Sequence, residues 1–255
     1  MVRKALVLGL LALLAGAGVQ AQTATAATAA PAANAVDASA IQALKDMGEH
    51  LQTLKRFQVS TTLTGERVLA DGQKLQHTAA AEMDVDRPNR LHVRMSSSRS
   101  ERELIYDGKA VTLYTPALNY YSRVELAETL AGLVKRLQER FGVELPLSDL
   151  FVWGTPAAPI EQIQSAMNAG QDFIGDDLCD HYAFRQGALD WQVWITAGAK
   201  PLPRKIVITN RADEARPQSV SLISWNLQPG FKDTVFSFTP PKGATAVELV
   251  PLKTK

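Results

Sequence analysis

The stretch FQVSTTLTGERVLADGQKLQHTAAAEMDV, residues 57–85, carries the clearest structural signal in the chain. Apolar or small side chains occupy every second position on either side of an Asp71-Gly72 pair, and mostly polar side chains fill the positions between them. On each predicted strand, one face is formed by this alternating set: Phe57, Val59, Thr61, Leu63, then Leu75, His77, Ala79, Ala81, Met83 and Val85. A period of two around a Gly-containing turn predicts antiparallel strands with one dry side.

The same pattern continues beyond the Pro88-Asn89 pair, which interrupts the second strand. Short strands are predicted over residues 91–95, 104–106, 110–114 and 120–124. The Asp107-Gly108 pair between two of them is a strong hairpin signal. Because the connections are short and consecutive, we expect a meander rather than a parallel sheet.

Helical spacing of apolar residues predicts helices over residues 39–54, 125–141, 148–152 and 160–168. Asp37 or Ser39 is a suitable N-cap for the first, and Gly142 is placed to stop the second. A second set of strands is predicted over residues 173–174, 179–185, 190–196, 204–210 and 218–227, followed by a terminal element at 236–238. The chain therefore runs helix, sheet, helices, sheet.

This order predicts an α+β fold: a strongly curved antiparallel sheet that forms an unclosed half-barrel, with helices covering the concave face. The dry face of the sheet and the apolar stripes of the helices each need the other for burial. We expect residues 39–255 to form a single domain of this kind.

The N-terminus predicts secretion. Arg3 and Lys4 precede an apolar run over residues 5–19, and small residues precede a cleavage point after Ala21. We therefore expect residues 1–21 to be a signal peptide and the mature protein to be periplasmic. Residues 22–38, almost wholly Ala, Thr, Pro and Asn, predict a flexible leader.

Composition argues against one class of function and one kind of stabilisation. The chain has 27 Lys and Arg residues against 26 Asp and Glu residues, with a formal net charge of +1. Because nucleic-acid recognition needs a concentrated basic face, we expect no nucleic-acid partner. Cys179 is the single cysteine, so no intramolecular disulfide can hold the fold.

Several blocks carry a resemblance to a known family. They are CDHYAFR at 179–185, DWQVWI at 190–195, PLPRK at 201–205, YDGK at 106–109 and FSFTPPKGA at 236–244. Over roughly residues 40–250, the chain resembles DUF2092, a family of predicted periplasmic proteins. That family resembles in turn the LolA/LolB-like lipoprotein-carrier superfamily.

This resemblance implies an unclosed half-barrel with a helical lid, in which acyl chains occupy the space between sheet and lid. No functional residue of LolA maps by motif onto this chain. The residues that we expect to line such a cavity come from the apolar alternation instead: Leu63, Met83, Leu91, Val93, Met95, Ile105, Leu113, Trp191, Val193 and Ile223. They equally suit a filled core, because periodicity identifies a buried face and not an empty space beside it.

Cys179-Asp180-His181 is the group of residues that most resembles a catalytic or metal site. In an extended strand, however, Asp180 faces away from the other two, and the remaining histidines lie in unrelated segments. We therefore expect a buried structural cysteine with a hydrogen-bonded histidine, no catalytic residue, no metal and no cofactor. Arg185, Asp190, Arg204 and Lys205 suit an ion-pair network at strand ends or, alternatively, a headgroup site.

The function predicted from the sequence is that of a non-enzymatic periplasmic protein that binds a hydrophobic ligand, such as a lipid or a lipoprotein acyl chain. Its further partner would be an envelope lipoprotein or a membrane protein. Two alternatives stay open at this point: a sensory or scaffold module that binds another envelope protein, and a hydrolase or redox enzyme.

Overall fold

The computed structural model describes residues 35–252 of the chain. The predicted signal peptide and residues 22–34 of the predicted leader lie outside this range. The first helix, α1, spans Ala38–Thr53, and the Asp37 side chain caps it by accepting a hydrogen bond from the Ser39 amide at 2.8 Å. Just before the cap, Val36 forms a parallel bridge with Ala166. The predicted first helix and its N-cap are confirmed.

The predicted first meander is also confirmed. Its strands are β1 (Arg56–Val68), β2 (Lys74–Asp86), β3 (Arg90–Ser97), β4 (Glu101–Tyr106), β5 (Ala110–Thr115) and β6 (Tyr120–Glu125). Each strand pairs antiparallel with the next along the chain. Gly72 and Gly108 adopt positive φ in the two turns where the sequence predicted hairpins.

The second meander joins the first side by side. Its strands are β7 (Ile163–Ile174), β8 (Asp177–Gln186), β9 (Leu189–Thr196), β10 (Pro203–Asn210) and β11 (Gln218–Asn226). Strand β11 pairs with β1, and the short β12 (Thr245–Ala246) pairs in parallel with β6. The result is one 12-stranded sheet with β12 and β7 at its two edges, so the sheet is not closed into a barrel.

Two of the three other predicted helices differ from the structure. Helix α2 spans Leu130–Phe141 rather than 125–141, because β6 extends to Glu125 and Thr129 caps the helix through the Gly132 amide. The short helix predicted over 148–152 is confirmed as the single turn α3, Asp149–Val152. The helix predicted over 160–168 is wrong: after a 3-10 turn at Ile160–Gln162, the chain continues as β7, because pairing with β8 overrides the helical spacing.

The helices cover one face of the sheet. The inner side of the sheet presents a cross-strand row that includes Phe57, Val85, Leu91 and Tyr106. These residues form one core cluster with the apolar side chains of the helices, among them Leu44, Met47, Leu51, Leu130, Leu133, Leu137, Leu150 and Phe151. The predicted architecture, a curved open sheet with its concave face under helices, is confirmed.

The segment after β11 crosses the opposite, convex face. Its 3-10 turn, Asp233–Phe236, packs against β3 and β4. The Asp233 carboxylate accepts hydrogen bonds from Arg56 and Arg90, at 3.0 Å each. The chain then runs to β6, where the amides of Thr245 and Val247 donate to backbone carbonyls beside and on that strand.

This anchor predicts acid sensitivity of the C-terminal segment. The hydrogen bonds from Arg90 and Arg56 hold the pKa of the Asp233 carboxyl below its usual value. The stabilisation is therefore present above the unfolded-state pKa, about 3.9, and is lost as pH falls through the lower folded-state value. At neutral pH, Asp233→Asn should speed hydrogen exchange of the Thr245 and Val247 amides, whereas the exposed Asp176→Asn should not. Equal exchange in both variants would contradict the anchor.

Candidate ligand-binding site

The middle of the concave face is filled. Five candidate residues there are 0–2% exposed and belong to the core cluster under the helices: Met83, Leu91, Val93, Val193 and Ile223. Interiors packed in this way leave little room for a ligand. The space for a ligand lies instead at the ends of the helical cover.

Met95 and Leu113 line such a space at one end. Their cavity has a volume of about 880 Å³ and lies along the ends of β2 to β6. Its apolar lining includes Met95, Leu113, Leu118, Val143, Val247 and Leu249. The residues that follow α2 and the C-terminal segment therefore complete the walls that the sheet begins.

Trp191 lines a second, much smaller pocket of about 100 Å³. Trp153 stacks on Trp191 with ring centroids 6.2 Å apart, and Phe184 stacks on it at 4.2 Å. Pockets that hold drug-sized ligands typically span roughly 300–1,000 Å³. The space beside Trp191 falls below that range, whereas the cavity at Met95 and Leu113 falls within it.

The remaining two candidates lie elsewhere. Leu63 is half-buried on the inner face of β1, where it pairs with Ala79. Ile105 is buried but lies on the convex face, because it pairs with His92 and Thr112 while its neighbour Leu104 faces the core. Ile105 therefore does not belong to the concave face, in contrast to the prediction.

Sequence reasoning missed part of the cavity wall. Val143 follows α2, and Val247 and Leu249 come from the C-terminal segment. Their apolar character is visible in the sequence, but nothing there predicts that the last residues wrap around β6. Only the tertiary course of the chain brings them beside Leu113.

Cys179 and His181 lie on one face of β8 and Asp180 on the other, as predicted; the face that carries Cys179 and His181 is the convex one. The Cys179 thiol is fully buried against Trp194 and Val207, and this burial raises its pKa. Because a nucleophilic cysteine needs a stabilised thiolate, this environment suits a structural role.

His181 has equally structural contacts. Its ring stacks on Trp194 with centroids 3.9 Å apart, and Nε2 lies 2.9 Å from Gln192 Oε1. Within residues 35–252, no group of three or more His, Cys, Asp and Glu side chains is placed to hold a metal ion.

The charged residues of the second meander form separate contacts rather than a cavity mouth. Arg185 donates to Asp190 through Nε at 2.7 Å and Nη2 at 2.9 Å, and this pair holds the pKa of Asp190 below its usual value. Arg204 pairs with Asp177, and the Lys205 ammonium lies 4.2 Å from the centroid of the Trp194 ring. None of these side chains lines the 880 Å³ cavity.

In the part of the chain that the structure describes, no helix has the length and apolar character needed to span a membrane.

Comparison with curated proteins gives no match. Several solved structures are similar. An uncharacterized conserved protein from Thermus thermophilus aligns with a TM-score of 0.47 and 12% identity, over 82% of this chain and 99% of that chain.

LprF from Mycobacterium bovis aligns with a TM-score of 0.45 and 16% identity, over 82% of this chain and 99% of that chain. The LolA superfamily protein NE2245 from Nitrosomonas europaea aligns with a TM-score of 0.36 and 13% identity, over 78% and 97%. A family model described as "Predicted periplasmic protein (DUF2092)" matches residues 40–250. Because that match covers most of the 255-residue sequence, the chain belongs to the DUF2092 family of predicted periplasmic proteins.

Proposed function

We propose that this protein binds a hydrophobic ligand, a lipid or the acyl part of a lipoprotein, in the cavity lined by Met95 and Leu113. The observation that carries the proposal is a largely apolar cavity of about 880 Å³ next to a core that is otherwise packed. Its walls come from the sheet, the loop after α2 and the C-terminal segment, so a ligand there would contact all three.

The physical basis is transfer of apolar surface from water. An acyl chain contributes about 0.8 kcal/mol for each buried CH₂, so even partial insertion supplies useful affinity. Such binding needs no charge chemistry and no covalent step, and we therefore propose a carrier without catalytic activity. Met95 suits this role because it is half-buried and its unbranched thioether adapts to irregular ligands.

The proposed setting is the periplasm, reached through a signal peptide cleaved after Ala21. A carrier there would take its ligand from, or deliver it to, an envelope lipoprotein or a membrane protein. Transport or chaperoning is the purpose that we propose for the binding activity.

Narrowing the cavity should weaken binding. Leu113→Trp places a bulky indole ring in the 880 Å³ cavity. It should weaken binding of a fluorescent fatty acid at least tenfold, which is a loss of about 1.4 kcal/mol or more in binding free energy. Ile208→Trp is the matched control, because Ile208 is also half-buried on the inner face but lines the small pocket beside Trp191. It should leave affinity unchanged, provided that circular dichroism shows both variants folded.

Native mass spectrometry of protein purified gently from periplasm tests the occupant. A bound lipid supports the proposal. If no lipid is retained and fatty-acid probes fail to bind the unmodified protein, the carrier function is contradicted. Affinity capture of one stoichiometric protein partner, with an empty cavity, would favour the scaffold alternative instead.

A further inference from the structure

A separate cleft of about 490 Å³ lies where α1, α2 and α3 meet the sheet. Its lining includes Lys55, Arg87, Leu130, Ala131 and Phe151. The full lining contains two basic side chains and no carboxylate. It shares no residue with the hydrophobic cavity at Met95 and Leu113.

Arg87 is the unusual member of this cleft. Its Nη2 donates to the Leu150 carbonyl at 3.2 Å, and its guanidinium lies 5.9 Å from the ring centroids of both Phe57 and Phe151. Its Nε is buried without a hydrogen-bond partner, and no carboxylate within residues 35–252 lies within ion-pair distance.

A guanidinium in this position lacks a counter-charge. Burial lowers the pKa of Arg87, which reflects the cost of holding its positive charge away from water. Aromatic rings and one carbonyl offset part of that cost, but this half-buried charge has no carboxylate among the described residues to neutralise it. The other charges of the chain do not supply the pair: Lys55 has the same sign and likewise lacks a carboxylate within ion-pair distance in the described chain.

The first turn of α2 adds an amide donor to the cleft, although the Glu128 carboxylate lies beside Gly132 on the same turn and offsets part of the helix dipole. The Leu130 amide donates to the Pro88 carbonyl and the Gly132 amide to Thr129 Oγ1, which leaves the Ala131 amide without a partner among the described residues. Amides in the first turn of a helix, together with its dipole, favour anions. Leu130 and Ala131 both line the cleft that holds Arg87.

We propose that this cleft binds an oxyanion, a phosphate or carboxylate group, held by Arg87, Lys55 and the first turn of α2. Arg87 supplies the guanidinium donors that the Leu150 carbonyl does not take, and Lys55 supplies a point charge. The group could belong to a free anion or to a lipid headgroup, since the recognition chemistry is the same. The site is independent of the hydrophobic cavity, so either can exist without the other.

Calorimetric titration of the purified mature protein at low salt tests the site, with inorganic phosphate and glycerol 1-phosphate as probes. We expect Lys55→Gln to weaken binding about tenfold, since hydrogen bonds to charged groups contribute that much. Arg87→Gln should remove binding. The exposed Lys45→Gln, on helix α1 but outside the cleft, should leave it unchanged.

Lys55→Gln is the decisive variant, because Arg87 also packs against aromatic rings and its loss could disturb the fold. Co-sedimentation with phosphatidylcholine vesicles, with and without phosphatidic acid, separates the sources. Binding to phosphatidic acid but not to free phosphate assigns a headgroup, and the reverse assigns a free anion. Absence of binding to every probe, or equal losses in Lys55→Gln and Lys45→Gln, would overturn the proposal. This outcome does not depend on whether fatty acids bind in the hydrophobic cavity.

Discussion

Replacing Gly154 by alanine is expected to lower the free energy of unfolding by about 3 kcal/mol or more. Gly154 has a φ of +76° in the turn after α3, and a Cβ built there would overlap the carbonyl oxygen of Gly48 on α1. The contact is backbone against backbone, so no side chain can move aside. The two glycines therefore allow the helix and the turn to approach closely, and Gln52 supports the contact by donating to the Trp153 carbonyl at 2.6 Å.

Gly72→Ala is the matched control. Gly72 has a similar φ of +84°, but nothing lies within 4 Å of a Cβ built there. It should cost only the backbone penalty, about 1–2 kcal/mol. Urea denaturation of both variants measures the difference. Equal losses would mean that the Gly48–Gly154 contact does not hold the helical cover in place.

Truncating Met83 should be far more costly than truncating Met95. Met83 is fully buried in the middle of the concave face, so Met83→Ala leaves a void and should cost about 2–5 kcal/mol. Met95 is two residues from Val93, the partner of Met83 on β3, but lines the open cavity. Met95→Ala removes little packing and should cost about 1 kcal/mol or less.

The same pair of variants should behave in the opposite way toward ligand. Met95→Ala should change the affinity for fatty-acid probes, because the side chain lines the proposed site, whereas Met83→Ala should not once it is folded. Similar stability losses in the two variants, measured by urea denaturation, would contradict the division between a packed middle and an open end.

Most of the sheet could be predicted from the sequence because one of its faces is dry. Alternation in residues 57–85 gives strands, and the Asp-Gly pairs give the turns. The errors fall where local spacing competes with pairing. Residues 160–168 carry apolar side chains at helical intervals, yet β8 offers a ladder of hydrogen bonds to most of that stretch, and the strand forms.

The cavity could be predicted only in part. Alternation places Met83 and Met95 on the same face of the sheet, but it cannot tell which of them a helix covers. That depends on where α2 ends and on the route of the C-terminal segment, whose hydrogen bonds to β6 and to α2 join residues distant in sequence. Ile105 shows a second limitation. Its side chain is apolar and buried, as a cavity-lining residue would be, but it lies on the convex face.

Photo-crosslinking with a diazirine-bearing fatty acid, followed by peptide mapping, tests most directly where a hydrophobic ligand binds. Crosslinks should fall on peptides that contain Met95, Leu113, Val143 or Leu249, and Leu113→Trp should remove them. Crosslinks confined to the peptides around Trp191, or none above those of a denatured control, would contradict binding in the cavity at the open end of the sheet.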